Sequence, residues 1–218
     1  MENTNLLYWD NFYKKHTNDS ESPFCKYVQS KIGAEYYVID LGCGNGRDTF
    51  SFYKNGYYAV GIDRSHVAIS SNTLKVMEEK LSKQRIEFKC VDISDEITFL
   101  RELQSIVKLA KKIEKNVAVY NRFLLHSIDE MTEKVLMTSI AKVLEKGDLF
   151  LSEFRTLEDI SNKKIYNGHY RRYIDSEKFA LDLCERYDFD IIELKKGYGF
   201  SVYKGENPHL ARIIAEKQ

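Results

Sequence analysis

The chain has little proline, no excess of either charge and no long apolar run, and each absence excludes a class of protein. Only 2 of its 218 residues are proline, and no Pro-, Gly- or Ser-rich linker divides them. We therefore expect one domain over residues 1–218 with a sizeable core. The 33 basic and 33 acidic residues cancel, which argues against general nucleic-acid binding. No run of about 18 apolar residues is present, so no membrane span is predicted.

Cysteine is also scarce and scattered. The four cysteines, at positions 25, 43, 90 and 184, form no C-x-x-C pair, so neither a disulfide framework nor a zinc site is indicated. The first residues, Met-Glu-Asn-Thr-Asn, lack the basic and apolar segments of a signal peptide. We expect a soluble, cytoplasmic protein without a bound metal.

Apolar runs alternate with helical patterns along the chain, and this order predicts a doubly wound α/β sheet. Residues 36–41 have the continuous apolar character of a central strand, and residues 47–54 are predicted to form a helix that ends at Asn55-Gly56. Ser65 and Asp175 are suited to cap two later helices, and Leu74, Met77 and Leu81 are expected to form the apolar face of the helix after Ser65. The other strands are predicted at 57–62, 86–90, 117–120, 149–154, 191–204 and 210–216, the last two joined by a turn at 205–208.

The most specific motif is Asp40-Leu41-Gly42-Cys43-Gly44-Asn45-Gly46, directly after the first strand. Its alternate glycines let the backbone turn sharply and approach a ligand closely. Asp63 ends the next strand, where a carboxylate can accept hydrogen bonds from both ribose hydroxyls. A dinucleotide fingerprint needs G-x-G-x-x-G, but position 47 is Arg. Asp40 would repel a pyrophosphate and suits a cationic amino-acid group.

The Asp40 to Gly46 segment resembles motif I of the class I S-adenosylmethionine (SAM) dependent methyltransferases, and the likeness extends through Asp63 and Asp92 to the end of the chain. It implies a Rossmann-like, seven-stranded, mostly parallel sheet with an antiparallel carboxyl-terminal hairpin, SAM as cofactor and S-adenosylhomocysteine (SAH) as product. It places the methionine portion at Asp40, the ribose at Asp63 and the adenine at Asp92. With the aromatic arm included, the expected cofactor-binding residues are Tyr8, Trp9, Asp40, Gly42, Cys43, Gly44, Asp63, Arg64, Asp92, Ile93 and Asn121.

Several of these positions have a second interpretation. Asp92 contacts the adenine or caps the following turn, and Cys43 is better explained as a small packing residue than as a nucleophile. Residues 1–35 are expected to form a helical arm that covers the site. There, Tyr8, Trp9 or Tyr13 either faces the sulfonium, which gains about 0.5 to 2 kcal/mol over an aromatic ring, or packs the arm on the sheet.

The acceptor side is expected after the fourth strand, where Tyr120-Asn121-Arg122-Phe123 departs from the Asn-Pro-Pro-Tyr motif of enzymes that methylate amino nitrogens on bases or glutamine. This departure argues against DNA, RNA or protein-amide methylation. Tyr120, Arg122 and His126 are the candidate catalytic residues. His126 is a general base, a group that orients the acceptor, or a structural histidine.

A substrate lid is expected over residues 155–175. Within its segment 167–175, adjacent arginines between tyrosines suggest recognition of a phosphate or carboxylate, although a solvated charge pair has the same pattern. The expected substrate-binding residues are Tyr13, His169, Tyr170, Arg171 and Arg172.

Four segments, Tyr-Trp-Asp, Tyr-Asn-Arg-Phe-Leu-Leu-His, His-Tyr-Arg-Arg-Tyr-Ile and Glu-Asn-Pro-His-Leu-Ala-Arg, are similar to those of small methyltransferases encoded with bacterial capsule and surface-polysaccharide genes, including the O-methyl phosphoramidate type. The expected reaction is methylation of an oxygen on a small-molecule, nucleotide-linked or glycan-linked acceptor, with an anion favoured. The alternatives are another sugar O-methyltransferase, a tellurite-type or other detoxifying methyltransferase, a nicotinamide dehydrogenase and a non-catalytic SAM-binding subunit.

Overall fold

A computed structural model describes residues 2–15, 20–165 and 168–218. Within them the helices and strands alternate as the sequence predicts. The helices are α1 (Glu2–Lys15), α2 (Pro23–Gln29), α3 (Arg47–Lys54), α4 (His66–Glu78), α5 (Glu96–Lys112), α6 (Glu130–Val143) and α7 (Ser176–Tyr187). The strands are β1 (Tyr36–Leu41), β2 (Tyr58–Asp63), β3 (Ile86–Cys90), β4 (Asn116–Arg122), β5 (Leu149–Arg155), β6 (Phe189–Gly197) and β7 (Leu210–Lys217).

These seven strands form one sheet in the order β3-β2-β1-β4-β5-β7-β6. Strands β1 to β5 pair in parallel, and β7 lies antiparallel between β5 and β6. The predicted class I methyltransferase sheet is thereby confirmed. Asp40 of β1 stands beside Gly61 of β2 and Tyr120 of β4, so the carboxyl ends of the three strands meet at one edge, where open α/β sheets bind ligands.

The predicted helix caps are confirmed. Ser65 Oγ accepts a hydrogen bond from the Ala68 N–H at the start of α4, and Asp175 accepts one from the Lys178 N–H at the start of α7. Each cap satisfies one of the amide donors that a helix leaves free at its first turn. No helix in the described ranges combines the length and apolar character that crossing a bilayer requires.

Two expectations about the elements are wrong. The stripe of Leu74 and Met77 on α4 faces solvent, with exposed fractions of 57% and 51%, because the helix buries its opposite side, which carries Ile69, Asn72 and Val76. The strand predicted at 191–204 ends at Gly197, and residues 198–209 form a loop before β7. The hairpin connection is therefore far longer than the predicted four-residue turn.

Candidate active site

The glycine loop after β1 turns back on β2. Gly42 and Gly44 adopt φ of +71° and +50°, a region that side chains with a Cβ rarely enter. The N–H groups of Gly42 and Cys43 both donate to the Ile62 carbonyl, at 2.8 and 3.1 Å. The loop is thus fixed before any ligand arrives.

Asp63 fastens this loop to α4. Its carboxylate accepts hydrogen bonds from the Gly44 N–H at 2.9 Å and the Ser65 N–H at 2.8 Å. Burial raises the pKa of Asp63, and the two amide donors oppose that rise. The carboxylate ends β2 as the sequence predicts, and its position fits a ribose at the loop.

Asp40 lies under the same loop and is only 3% exposed. Its carboxylate accepts a hydrogen bond of 2.6 Å from Thr49 Oγ1. Burial, followed by the nearby Asp48 carboxylate, raises the pKa of Asp40 to about 8. A cationic group placed beside this buried acid would stabilise the ionised carboxylate and lower its pKa. The position is therefore suited to bind a cation.

Helix α1 covers the loop. A Cβ placed on Gly44 would lie 2.6 Å from the Tyr13 ring, so the missing side chain admits this aromatic contact. Asp10 accepts a hydrogen bond from Ser65 Oγ, which holds α1 on α4. Burial and the Asp63 carboxylate raise the pKa of Tyr13 well above its usual value. Tyr13 of the arm therefore lies against the glycine loop.

The other cofactor-side candidates have varied surroundings. Asp92 is exposed and accepts from the N–H and Oγ of Ser94, so it does cap the turn, while Ile93 is buried in the core. Arg64 acts electrostatically on Asp63. Burial and Asp40 raise the pKa of the Cys43 thiol well above its usual value, which makes that thiol a poor nucleophile.

Tyr120, one of the expected catalytic residues, lies in the buried core. Its ring is fully buried against Phe24 and Phe52, and its hydroxyl donates to Asp48 at 2.7 Å. Ser22 bonds the same carboxylate through its N–H and Oγ. The Tyr120 side chain thus braces α2 and α3 against the sheet.

Arg122 is held by a carboxylate that the sequence analysis missed. Glu153 of β5 is fully buried and accepts hydrogen bonds from Arg122 Nε at 3.0 Å, Arg212 Nε at 2.7 Å and Ser201 Oγ at 2.9 Å. The sequence signal for this ion pair is an acid within the apolar run Leu-Phe-Leu-Ser-Glu-Phe, because a charge buried with such a strand requires a partner. Arg122 is therefore committed to an ion pair at the edge of the site.

The end of β4 brings the other acceptor-side residues together. Phe123 has φ of +62°, which is rare for a residue with a side chain and ends the strand abruptly. The Arg122 guanidinium lies 3.9 Å from the Phe123 ring centroid, and the His126 ring lies 5.1 Å from it. Asn121 is fully buried, and its Oδ1 accepts from Ser152 Oγ at 2.7 Å.

The two adjacent lid arginines are placed differently. Arg172 Nε donates to the carbonyls of Leu125 and Ile128, and its Nη2 bonds Glu133, so it anchors the lid. Arg171 Nη2 lies 3.0 Å from Nε2 of His169 and acts electrostatically on His126. Tyr170 is largely exposed, and Asn167, at the start of the expected lid segment, lies outside the described residues.

The lid meets helix α1 through aromatic contacts. The His169 ring lies 4.8 Å from the Tyr8 ring and 4.9 Å from the Trp9 ring, and Trp9 in turn lies 5.8 Å from Tyr13. Tyr8 and Trp9, expected to touch the cofactor, thus contact the lid in this structure. These contacts connect the glycine loop, through α1, to His169 of the expected lid.

This sheet, with a glycine loop between two buried aspartates, defines a class I methyltransferase. Residues 32–173 match the family described as "Methyltransferase domain". The chain therefore belongs to this methyltransferase family and is a SAM-dependent methyltransferase. Among curated protein sequences none gives a significant match.

Solved structures share the fold at low sequence identity. A SAM-dependent methyltransferase from Anabaena variabilis is 16% identical, with a TM-score of 0.70 over 98% of this chain and 95% of that one. TehB from Haemophilus influenzae is 15% identical, with a TM-score of 0.67 over 96% and 66%. The glycopeptide N-methyltransferase MtfA, solved with SAM, is 15% identical, with a TM-score of 0.63 over 91% and 95%.

Proposed function

We propose that this enzyme methylates an oxygen of an anionic acceptor, such as a phosphate or phosphoramidate group on a small, nucleotide-linked or glycan-linked molecule. The observation that carries the anionic acceptor is a set of buried, unpaired donors. Asn121 Nδ2, Arg155 Nε and His169 Nδ1 have no hydrogen-bond partner within the described residues. Buried donors are rarely left unpaired in folded proteins, and a ligand rich in acceptor oxygens would satisfy them.

The charges around His126 support the same acceptor. Burial lowers the pKa of His126 well below its usual value, and Arg155, Arg171, His169 and Arg122 lower it further. The three arginines come from β5, the lid and the end of β4, and ion pairs with Asp159, Glu206 and Glu153 offset part of the charge of Arg155 and Arg122. An anion placed there would be attracted to the site and held in orientation.

The cofactor-side assignments follow from the loop. Asp40 would pair with the methionine ammonium, Asp63 with the ribose hydroxyls, and Arg64, Asp92 and Ile93 would border the adenine. The glycine loop and Cys43 would lie along the methionine portion, and Tyr13 would cover them. Tyr8, Trp9 and Asn121 would close the cavity where cofactor and acceptor meet. In this scheme residues 1–35 form the cover and residues 155–175 the lid of one domain.

When bound, SAM supplies a methyl group on a positively charged sulfur. The acceptor oxygen uses a lone pair to form the new oxygen–carbon bond while the carbon–sulfur bonding pair remains on sulfur, which leaves neutral SAH. An oxyanion loses its negative charge in this step and has no proton to give up. The protein's task is to hold the oxygen in line at about 3 to 3.5 Å, a constraint worth roughly 7 to 11 kcal/mol of the barrier.

The place of this reaction in capsule or surface-polysaccharide synthesis rests on the similarity of sequence segments to enzymes encoded with such genes. SAH release is the direct test, with inorganic phosphoramidate, a nucleoside monophosphate, a sugar phosphate and the corresponding free sugar as acceptors. We expect turnover on the anions and little on the free sugar. Turnover confined to the free sugar would instead favour a sugar O-methyltransferase.

Arg171 and Arg172 give a matched pair for this proposal. Arg171→Gln is expected to raise KM for an anionic acceptor by roughly 10- to 100-fold, the equivalent of one charged hydrogen bond of about 1.5 to 3 kcal/mol, with SAM affinity unchanged. Arg172→Gln is expected to lower the melting temperature, because Glu133 and two carbonyls lose their donor.

Steady-state kinetics and thermal unfolding of both variants separate the two roles. A larger rise in KM in Arg172→Gln than in Arg171→Gln would contradict the assignment of Arg171 to the acceptor.

A further inference from the structure

His126 accepts a hydrogen bond at one ring nitrogen from a group that can only donate. The backbone N–H of Arg155 lies 3.1 Å from Nδ1 of His126. The ring is 2% exposed and sits in a short 3-10 turn over residues 125–127. Since Nδ1 accepts, the proton of the neutral ring is on Nε2.

His169 has the opposite arrangement. Arg171 Nη2 lies 3.0 Å from its Nε2, and a guanidinium has no acceptor, so Nε2 accepts and the ring proton is on Nδ1. That Nδ1 is buried and has no partner within the described residues. The rings of Tyr8 and Trp9 flank the imidazole and restrict its rotation.

The surroundings keep both rings neutral. Arg155 of β5, Arg171 and His169 of the lid and Arg122 of β4 all lower the pKa of the buried His126. Burial, then Arg171 and Arg155, lower the pKa of His169 to about 4, against a smaller opposing effect of Glu206. At neutral pH each ring therefore carries a single N–H.

From this geometry, and resting on the proposed function, we infer that His126 and His169 bind the acceptor as neutral donors, through Nε2–H and Nδ1–H respectively. Neither imidazole then serves as the general base. In each ring the unprotonated nitrogen, which would have to take up the proton, already accepts a hydrogen bond from the protein. Both are acceptor-positioning residues that select an oxygen that needs no deprotonation.

Amide substitutions distinguish the two nitrogens. A Gln side chain places its NH₂ near the position of Nε2, and an Asn side chain near that of Nδ1. We expect kcat/KM on phosphoramidate to be higher in His126→Gln than in His126→Asn, and higher in His169→Asn than in His169→Gln. Each difference should be roughly 10-fold or more, which corresponds to one hydrogen bond to a charged group. At saturating SAM, wild-type kcat is expected to be flat between pH 6 and 8.

Equal and near-complete loss in both His126 variants, with an acid limb in the wild-type profile, would overturn the inference in favour of a general base. The ¹⁵N shifts of the histidine side chains in the wild-type protein give a readout independent of activity: the Nε2–H tautomer at His126 and Nδ1–H at His169 are expected, and the reverse pair contradicts the inference. If SAM binds but no anionic acceptor turns over while the tautomers are as expected, the proposed function fails and the hydrogen-bond assignment stands.

Discussion

Asp40→Asn is expected to stabilise the protein while weakening cofactor binding. Folding buries Asp40 and raises its pKa from 3.8 to about 8, so between these two values the folded state holds a proton that the unfolded state has released. Stability therefore falls as pH rises through this window. Asn has no charge at any of these pH values, so the variant does not lose stability in this window. Its amide oxygen still accepts a hydrogen bond from Thr49. We expect a gain in unfolding free energy that is absent near pH 4 and reaches about 2 to 5 kcal/mol by pH 8.

The same substitution is expected to remove the pH dependence of SAM binding. Asp40 must lose its proton to pair with the cofactor's ammonium, so wild-type Kd should fall by about tenfold per pH unit as pH rises towards 8. Calorimetry between pH 6 and 7.5 keeps the cofactor's own amine protonated. Asp40→Asn should give a flat Kd, roughly 10- to 100-fold weaker at pH 7.5. The exposed Asp92→Asn is the control for stability, where little change is expected.

If Asp40→Asn left stability unchanged from pH 4 to pH 8, the carboxylate would be ionised in the folded protein and this account of the loop would be abandoned. If stability rose as expected but SAM affinity did not change, Asp40 would be a structural acid and not a partner of the methionine portion.

Glu153→Ala is expected to cost about 3 to 5 kcal/mol of unfolding free energy, the usual effect of removing one partner from a buried ion pair. The fully buried carboxylate joins Arg122 of β4 and Arg212 of β7, so its loss leaves two guanidiniums without their partner. Denaturant unfolding measures the difference. Glu158→Ala is the control, because Glu158 pairs with Lys196 on the surface, where an ion pair contributes about 1 kcal/mol or less.

Comparable losses of unfolding free energy in the Glu153 and Glu158 variants would show that the buried ion pairs contribute no more to stability than the surface pair. A partial loss in Glu153→Gln, which keeps acceptor capacity without the charge, would assign the remainder to electrostatics.

The cofactor half of the molecule was readable from the sequence because its signals are local. Three glycines after an apolar strand, and an acid at the end of the next strand, specify the loop and its neighbour without reference to the rest of the chain. The confirmed caps Ser65 and Asp175 are local in the same sense, since each bonds an amide three residues later.

The failures came where distant segments decide the outcome. Leu74 and Met77 form a valid helical stripe, but the opposite face of α4 is buried, because Asn72 there donates to the Gly44 carbonyl at 2.8 Å. The packing of Tyr120 also depends on a distant segment, because its hydroxyl donates to Asp48, which is 72 residues away in the sequence. The anchoring of Arg172 depends likewise on Glu133, which the lid sequence does not contain.

The contact between helix α1 and the lid can be followed by tryptophan fluorescence. The chain has one tryptophan, and Trp9 lies against both His169 and Tyr13. Its emission is therefore an intrinsic optical reporter with no competing indole signal, read without labelling or mutation. In the proposed arrangement one ligand would approach Trp9 from the Tyr13 side and the other from the His169 side. Titrating SAM and acceptor separately while following this fluorescence would therefore test the order in which the two ligands enter.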